Sequence, residues 1–334
     1  KAREQPGLIS SKSLSAGIVV GNLAAPQKSY LTMVKSILSR YLDPEVLSRI
    51  ARQRFEPHGL ILGNLAGSHR SALAGFAVEF VGHRQYVWGD DPKHIDWRVY
   101  FNRGRYVVKQ YAMETNLVCH FILDSSASMR YGEGEEQKLQ YAARAVVSLG
   151  YAILRQGDKV SLSTFDDEVR GFVPPSHSLA QIIRMTEHLE MTEAMRKTKM
   201  AECLSELAGR FHRREIIIVV SDFFTDLTAL EKAVQQIRAH QHEVIFLQTL
   251  HHDEITFELS GPTKFVGLEE ADELITRPEE LRPQYLRAFE DFQQRLVDLC
   301  QRNRAEHVVA DTSRNLADVL ADYLHFRNRL KRLR

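Results

Sequence analysis

The spacing of hydrophobic positions changes three times along the chain. Up to residue 30 no period is sustained and Ser, Gly and Ala are frequent, which predicts an irregular arm. From residue 31 apolar side chains recur at helical intervals: Leu31, Val34, Leu38 and Leu42. After Pro44, which suits the first position of a new helix, come Val46, Leu47 and Ile50. Between 57 and 89 the pattern breaks into short β-prone pieces such as Phe76–Val81, separated by Gly59, Gly63, Gly67, Gly75, Gly82 and Gly89. That punctuation predicts a small β module.

A different pattern begins near residue 116. Leu117–Leu123 is short and almost wholly apolar, as expected of a strand covered on both faces. A loop of small residues follows, then Leu139, Ala142, Ala143, Val146, Gly150, Ile153 and Leu154 at helical spacing. Further strands are predicted over Val160–Phe165, Glu215–Val220, Glu243–Thr249 and Glu306–Val309. Helices are predicted over Thr198–Phe211, Leu227–Ala239, 282–302 and 314–324. Strands that alternate with helices predict an α/β fold with a doubly wound, mostly parallel sheet. The expected organisation is an arm over 1–30, a smaller N-terminal module over 31–115, the α/β domain over 116–325 and a basic tail over 326–334.

Such sheets bind ligands beyond the carboxyl ends of their strands. Two of those ends carry an aspartate: Phe121-Ile-Leu-Asp124-Ser125-Ser126-Ala127-Ser128, and Val220-Ser221-Asp222. If the first loop curls, Asp124, Ser126 and Ser128 turn oxygens toward one point. Thr198, expected to cap the helix that leads into the Asp222 strand, adds another; Thr192 is its rival. These oxygen donors suit a hard cation such as Mg²⁺, with Ca²⁺ less expected. The plain alternative is that Asp124 and the serines only cap the following helix and satisfy turn amides.

Composition narrows the functions. Lys plus Arg (44) nearly cancels Asp plus Glu (43), so no overall field draws in nucleic acid. The run Arg327, Arg329, Lys331, Arg332 and Arg334 reads as a solvated helix end. No apolar run is long enough for a membrane span. Cys119, Cys203 and Cys300 read as core fillers of a reducing compartment. The cytoplasm is expected, with a trimmed leader left open because the sequence begins at Lys1. No G-x-x-x-x-G-K-[ST] loop and no G-x-S-x-G elbow occurs, and no acid–base constellation marks an enzyme. His251-His252-Asp253-Glu254 reads as a solvated loop.

At the Asp124 loop the chain resembles the von Willebrand factor A-like domain with its metal-ion-dependent adhesion site. That resemblance assigns Asp124, Ser126, Ser128, Thr198 and Asp222 to the metal, with an acidic residue of a protein partner completing its shell. Upstream, His83-Arg84-Gln-Tyr-Val-Trp-Gly89-Asp90-Asp91-Pro92-Lys-His-Ile-Asp96-Trp97-Arg98 resembles the signature of the bacterial domain-of-unknown-function family fifty-eight. The likeness spans roughly 40–325. Val99-Tyr100-Phe101-Asn102 departs from it, where small residues are usual, and so does Lys199, where an acidic residue is common. The family resemblance implies a MoxR-type AAA+ ATPase partner and an adaptor-like or chaperone-like role. Read physically, Gly89-Asp90-Asp91-Pro92 predicts a turn. Asp96 and Arg98 predict a charge-assisted pair, with Arg84 or Arg105 nearby, and Trp97 an apolar anchor bracing the module on the α/β domain. The expected function is a metal-dependent interaction module. The alternatives are an Mg²⁺-dependent hydrolase using Asp124 and Asp222, or a structural module whose metal site is vacant.

Overall fold

The computed structural model describes residues 36–57, 78–113, 117–194, 197–212, 214–268 and 273–332. The arm expected over 1–30 and the glycine-rich stretch over 58–77 lie outside the described residues. Helical residues 36–41 (α1) lead into α2 (Pro44–Ile50), where Asp43 accepts a bond from the Glu45 amide and Pro44 takes the first position. β1 (Val78–Gln85) and β2 (Val107–Met113) pair antiparallel, with α3 (Trp97–Arg103) between them in sequence.

The large domain follows in the order β3 (Val118–Asp124), α4 (Lys138–Arg155), β4 (Lys159–Phe165), β5 (Val169–Ser176), α5 (Ala180–Glu190) and α6 (Met200–Ala208). Then come β6 (Ile216–Ser221), α7 (Leu227–Ala239), β7 (Glu243–Leu250), α8 (His252–Thr256), β8 (Thr263–Val266), β9 (Glu273–Thr276), α9 (Pro278–Arg302), β10 (Glu306–Asp311) and α10 (Leu316–Arg332). Six strands form one sheet in the order β10-β7-β6-β3-β4-β5, parallel except for β5, which runs antiparallel to β4. This is the doubly wound architecture the alternation predicts. β8 and β9 form a separate antiparallel ribbon.

The continuous apolar runs are explained by two cores, one on each face of the sheet. In β3, Phe121 and Leu123 pack with residues of α2, α4, α5 and α10, while Ile122 packs with α6, α7 and α9. Alternate side chains of a strand point to opposite faces, so a strand covered twice has no polar face to show. β5 is not predicted by the sequence reading. It lies at the edge, contains Pro174 and Pro175, and of its side chains only Val173 is fully buried, so its pattern resembles a loop.

The C-terminal segment differs from expectation. Instead of a solvated tail from residue 326, α10 continues to Arg332, and Arg327 within it is 1% exposed. Its Nη2 donates to Glu243 and its Nη1 to Glu306, each at 2.5 Å, and its Nε donates to the Glu56 carbonyl at 2.9 Å. The guanidinium also lies 4.5 Å from the centre of the Phe55 ring. A planar five-donor fork suits this arrangement, which pins the first residues of β7 and β10 together. Cys119, Cys203 and Cys300 are free and buried, as expected of core fillers, and burial pushes the Cys203 and Cys300 thiols up to about 12. Among the described residues no helix is long and apolar enough to cross a membrane.

Candidate functional site

Strand register builds the site. Leu123 of β3 lies opposite Val220 of β6, so the next residues, Asp124 and Ser221, meet at the carboxyl rim. Ser221 Oγ donates to Asp124 Oδ2 at 2.6 Å, and the Ser126 amide donates to Oδ1 at 2.8 Å. Asp124 and Ser126 are wholly buried. Burial pushes the Asp124 carboxyl up to about 7, the Asp222 charge adds to the rise, and the bonds from Ser221 and Ser126 oppose it. Within the loop, the hydroxyls of Ser126 and Ser128 lie 3.1 Å apart. Ser125 holds the loop down, its amide and hydroxyl both bonded to the Phe165 carbonyl at the end of β4.

Thr198 reaches the same rim by another route. The Lys199 amide bonds to the Asp166 carbonyl, the residue after the one that holds Ser125. Thr198 does not cap α6, contrary to expectation. The helix begins at Met200, its cap is Lys199 and no side chain caps it. The Thr198 Oγ1 is instead buried with no hydrogen-bond partner. A buried hydroxyl without a partner costs free energy that a ligand can recover. Thr192, the rival, is already engaged: its hydroxyl donates to the His188 carbonyl at 2.9 Å.

Asp222 is 2% exposed, and its Oδ1 accepts the Phe224 amide at 3.1 Å. The turn that carries it holds Phe223 in the left-handed region (φ 62°), a costly conformation for a bulky residue. Stacking of Phe223 on Phe246, with ring centres 4.4 Å apart, holds that turn.

Three residues at this rim escape the sequence reading. Ser221 is one. The others are Lys138 and Glu254: Lys138 Nζ donates to Asp222 Oδ2 and to Glu254 Oε1, each at 2.8 Å. Lys138 is fully buried. That burial works to lower its pKa, but Asp222 and Glu254 outweigh it and raise it. Burial raises the Glu254 carboxyl, against the opposing pull of Lys138. His251–Glu254 is thus not a solvated loop. It starts α8, with Glu254 Oε2 accepting the His251 amide at 2.9 Å and the His251 ring accepting the Asp253 amide. Gly132 (φ 94°) lets the loop after β3 approach α8, since a Cβ there would lie 2.7 Å from the Glu136 carbonyl and 2.9 Å from the His251 ring.

The signature segment is organised as a turn and a helix start. Gly89 (φ 109°) permits the turn, and Arg84 holds Asp90 through two bonds of 2.6 and 2.7 Å. Arg84 keeps the Asp90 carboxyl down at about 2. Asp91 caps the short 3₁₀ turn Pro92–His94, and Asp96 caps α3 through the Arg98 amide at 3.1 Å. The expected Asp96–Arg98 ion pair does not form. Asp96 Oδ2 meets His83 Nε2 at 2.8 Å instead, because capping directs the carboxylate at the backbone and leaves its second oxygen toward β1. Trp97 is 49% exposed and Trp88 95% exposed, so neither is a buried anchor.

Among the described residues no group of three or more His, Cys, Asp or Glu side chains is arranged to hold a metal. The set at the carboxyl rim has a different chemistry: two buried carboxylates, two adjacent hydroxyls and one hydroxyl in want of a partner. Such oxygen donors fit a hard divalent ion.

Several known proteins are similar to this chain. Uncharacterised proteins of Mycobacterium bovis and Mycobacterium tuberculosis are 21% identical over 244 residues, which is 72% of this chain and 75% of theirs. Among solved structures, the conserved hypothetical protein BatB from Bacteroides thetaiotaomicron is similar over 64% of this chain and 99% of its own, at 16% identity and a TM-score of 0.40. The SpRpn10 VWA domain is similar over 62% and 94%, at 10% identity and a TM-score of 0.37. The family model described as "Protein of unknown function DUF58" matches residues 82–295, well over half of the sequence, and the chain belongs to that family.

Proposed function

We propose that this protein is a metal-dependent interaction module, whose carboxyl rim docks an acidic side chain of a partner protein on a divalent ion, Mg²⁺ or Mn²⁺. The observation that carries this reading is the buried Thr198 hydroxyl without a partner, at the rim where Asp124, Ser126, Ser128 and Asp222 already present oxygens. Ser126, Ser128 and Thr198 would supply neutral donors, and Asp124 and Asp222 the charge. A bound ion supplies a positive centre that attracts an outside carboxylate. The rest belongs to the chain's own residues: Ser221 and the Ser126 amide orient Asp124, and Ser125 fixes the loop on β4. The role is binding, with no chemical step assigned to these residues.

The partner class in this reading is an AAA+ ATPase of the MoxR type, which the family resemblance implies, and the cytoplasm is the compartment. The test is binding of the full chain to such an ATPase, measured with Mg²⁺ and with chelator. Binding that needs the ion and is lost in Asp124→Ala supports the reading. Binding that persists undiminished in chelator sinks it.

A further inference from the structure

The adhesion-type motif has no place for Lys138, yet this side chain reaches the heart of the site. Lys138 is the first residue of α4, the end where the helix dipole disfavours a cation. Its ammonium is fully buried, and its placement there follows from two carboxylates 2.8 Å away, Asp222 and Glu254. The Phe224 ring, 5.6 Å from Nζ, covers it further.

Both oxygens of Asp222 are already engaged. Its Oδ1 accepts the Phe224 amide, and its Oδ2 is held by Lys138. Any divalent ion that uses Asp222 therefore shares that carboxylate with an ammonium. Like charges so close, away from water, repel strongly. Glu254 acts as a counterweight. It holds Lys138 from the side of α8, where its second oxygen is fixed by the His251 amide.

We propose that Lys138 sets the affinity of this site for its ion, by competing with the ion for Asp222, while Glu254 limits that competition by holding Lys138 from the other side. This inference rests on the metal-binding reading above. The two residues act in opposite directions: removing the ammonium strengthens ion binding, and removing the counterweight weakens it. A purely structural ion pair would give no such opposition.

The experiment titrates the chain with MnCl₂ and reads free Mn²⁺ by electron paramagnetic resonance. Three proteins are compared: the native sequence, Glu254→Gln, and the double variant Lys138→Met/Glu254→Gln, which removes the cation together with one counter-charge. The double variant is expected to bind Mn²⁺ several-fold tighter than the native chain, because the ammonium it loses touches Asp222 itself while the carboxylate it loses holds only that ammonium. Glu254→Gln is expected to bind several-fold looser. Equal affinity in the native chain and the double variant overturns the role of Lys138. If circular dichroism shows that the double variant does not fold, Glu254→Gln decides: looser binding supports the proposal, and unchanged or tighter binding overturns it. Mn²⁺ binding absent from all three overturns the metal reading itself, a result distinct from metal bound equally by all.

Discussion

At the amino-terminal rim of the sheet a buried Arg327 lies between Glu243 and Glu306; at the carboxyl rim a buried Lys138 lies between Asp222 and Glu254. Both are single cations set between two carboxylates, but the surroundings differ. Arg327 uses Nε, Nη1 and Nη2 on three different partners, and its ring contact covers it. Around Lys138 a third carboxylate, Asp124, is pushed up to about 7, and the Thr198 hydroxyl has no partner. Burial of charge therefore does not by itself distinguish a clamp from a binding site. What distinguishes them is whether the polar groups nearby are satisfied.

The largest effect is expected where the clamp is broken. Arg327→Met removes a buried cation from between two half-buried glutamates, Glu243 and Glu306, and should cost about 3 kcal/mol, read as a lowered denaturant midpoint. A loss under about 1 kcal/mol would break the comparison, since it would make the amino rim as tolerant as an exposed pair. The next effect tests the same rim by pH. His242 precedes β7 and is fully buried. Burial lowers its pKa to about 4, with the His120 charge adding and Glu215 opposing. A histidine depressed in the folded state favours folding above its unfolded pKa. That contribution is lost as pH falls from about 6.5 toward 4, by roughly 2–3 kcal/mol. His242→Gln should flatten this acid limb, and an unchanged limb would assign it to other groups.

At the carboxyl rim the sign reverses. The Asp124 carboxyl is raised from 3.8 to about 7, so its ionised form burdens the fold above pH 7 and no longer does so well below it. Asp124→Asn should therefore stabilise the ion-free protein at pH 8 by about 1–2 kcal/mol while removing any stabilisation by Mn²⁺. Destabilisation in chelator would show that Asp124 serves the fold rather than the site. The smallest effect is expected in the signature hairpin: Trp88→Ser, at a ring 95% exposed, should change stability by no more than about 0.5 kcal/mol.

Much of the fold was legible because β3, β6 and β7 are covered on both faces and so carry uninterrupted apolar runs. β5 escaped because an edge strand with two prolines shows no such run. At the site, Asp124, Ser126 and Ser128 stand out in the sequence as a loop after an apolar strand, and the hydroxyls of Ser126 and Ser128 lie 3.1 Å apart. Thr198 lacks the capping role that its place before a helix suggests, since the helix begins at Met200; its hydroxyl is instead buried without a partner. Lys138 and Glu254 could not be read from the sequence. Lys138 sits on an otherwise ordinary amphipathic helix, and Glu254 lies 116 positions away. Only the fold, which brings the start of α4 and the short α8 to one rim of the sheet, joins them. The error at Arg327 has the same origin, since a basic helix end looks alike whether it meets water or two glutamates.

The position of β10 also has a consequence for synthesis. This strand enters the sheet last and pairs with β7, whose outer edge it covers. Until residues 306–311 leave the ribosome, that apolar edge has no strand beside it, although every other strand of the sheet has already emerged. An uncovered edge is a template for pairing between chains. A nascent or truncated polypeptide that stops before Glu306 therefore carries the risk of aggregation in a single, identifiable strand, Glu243–Leu250.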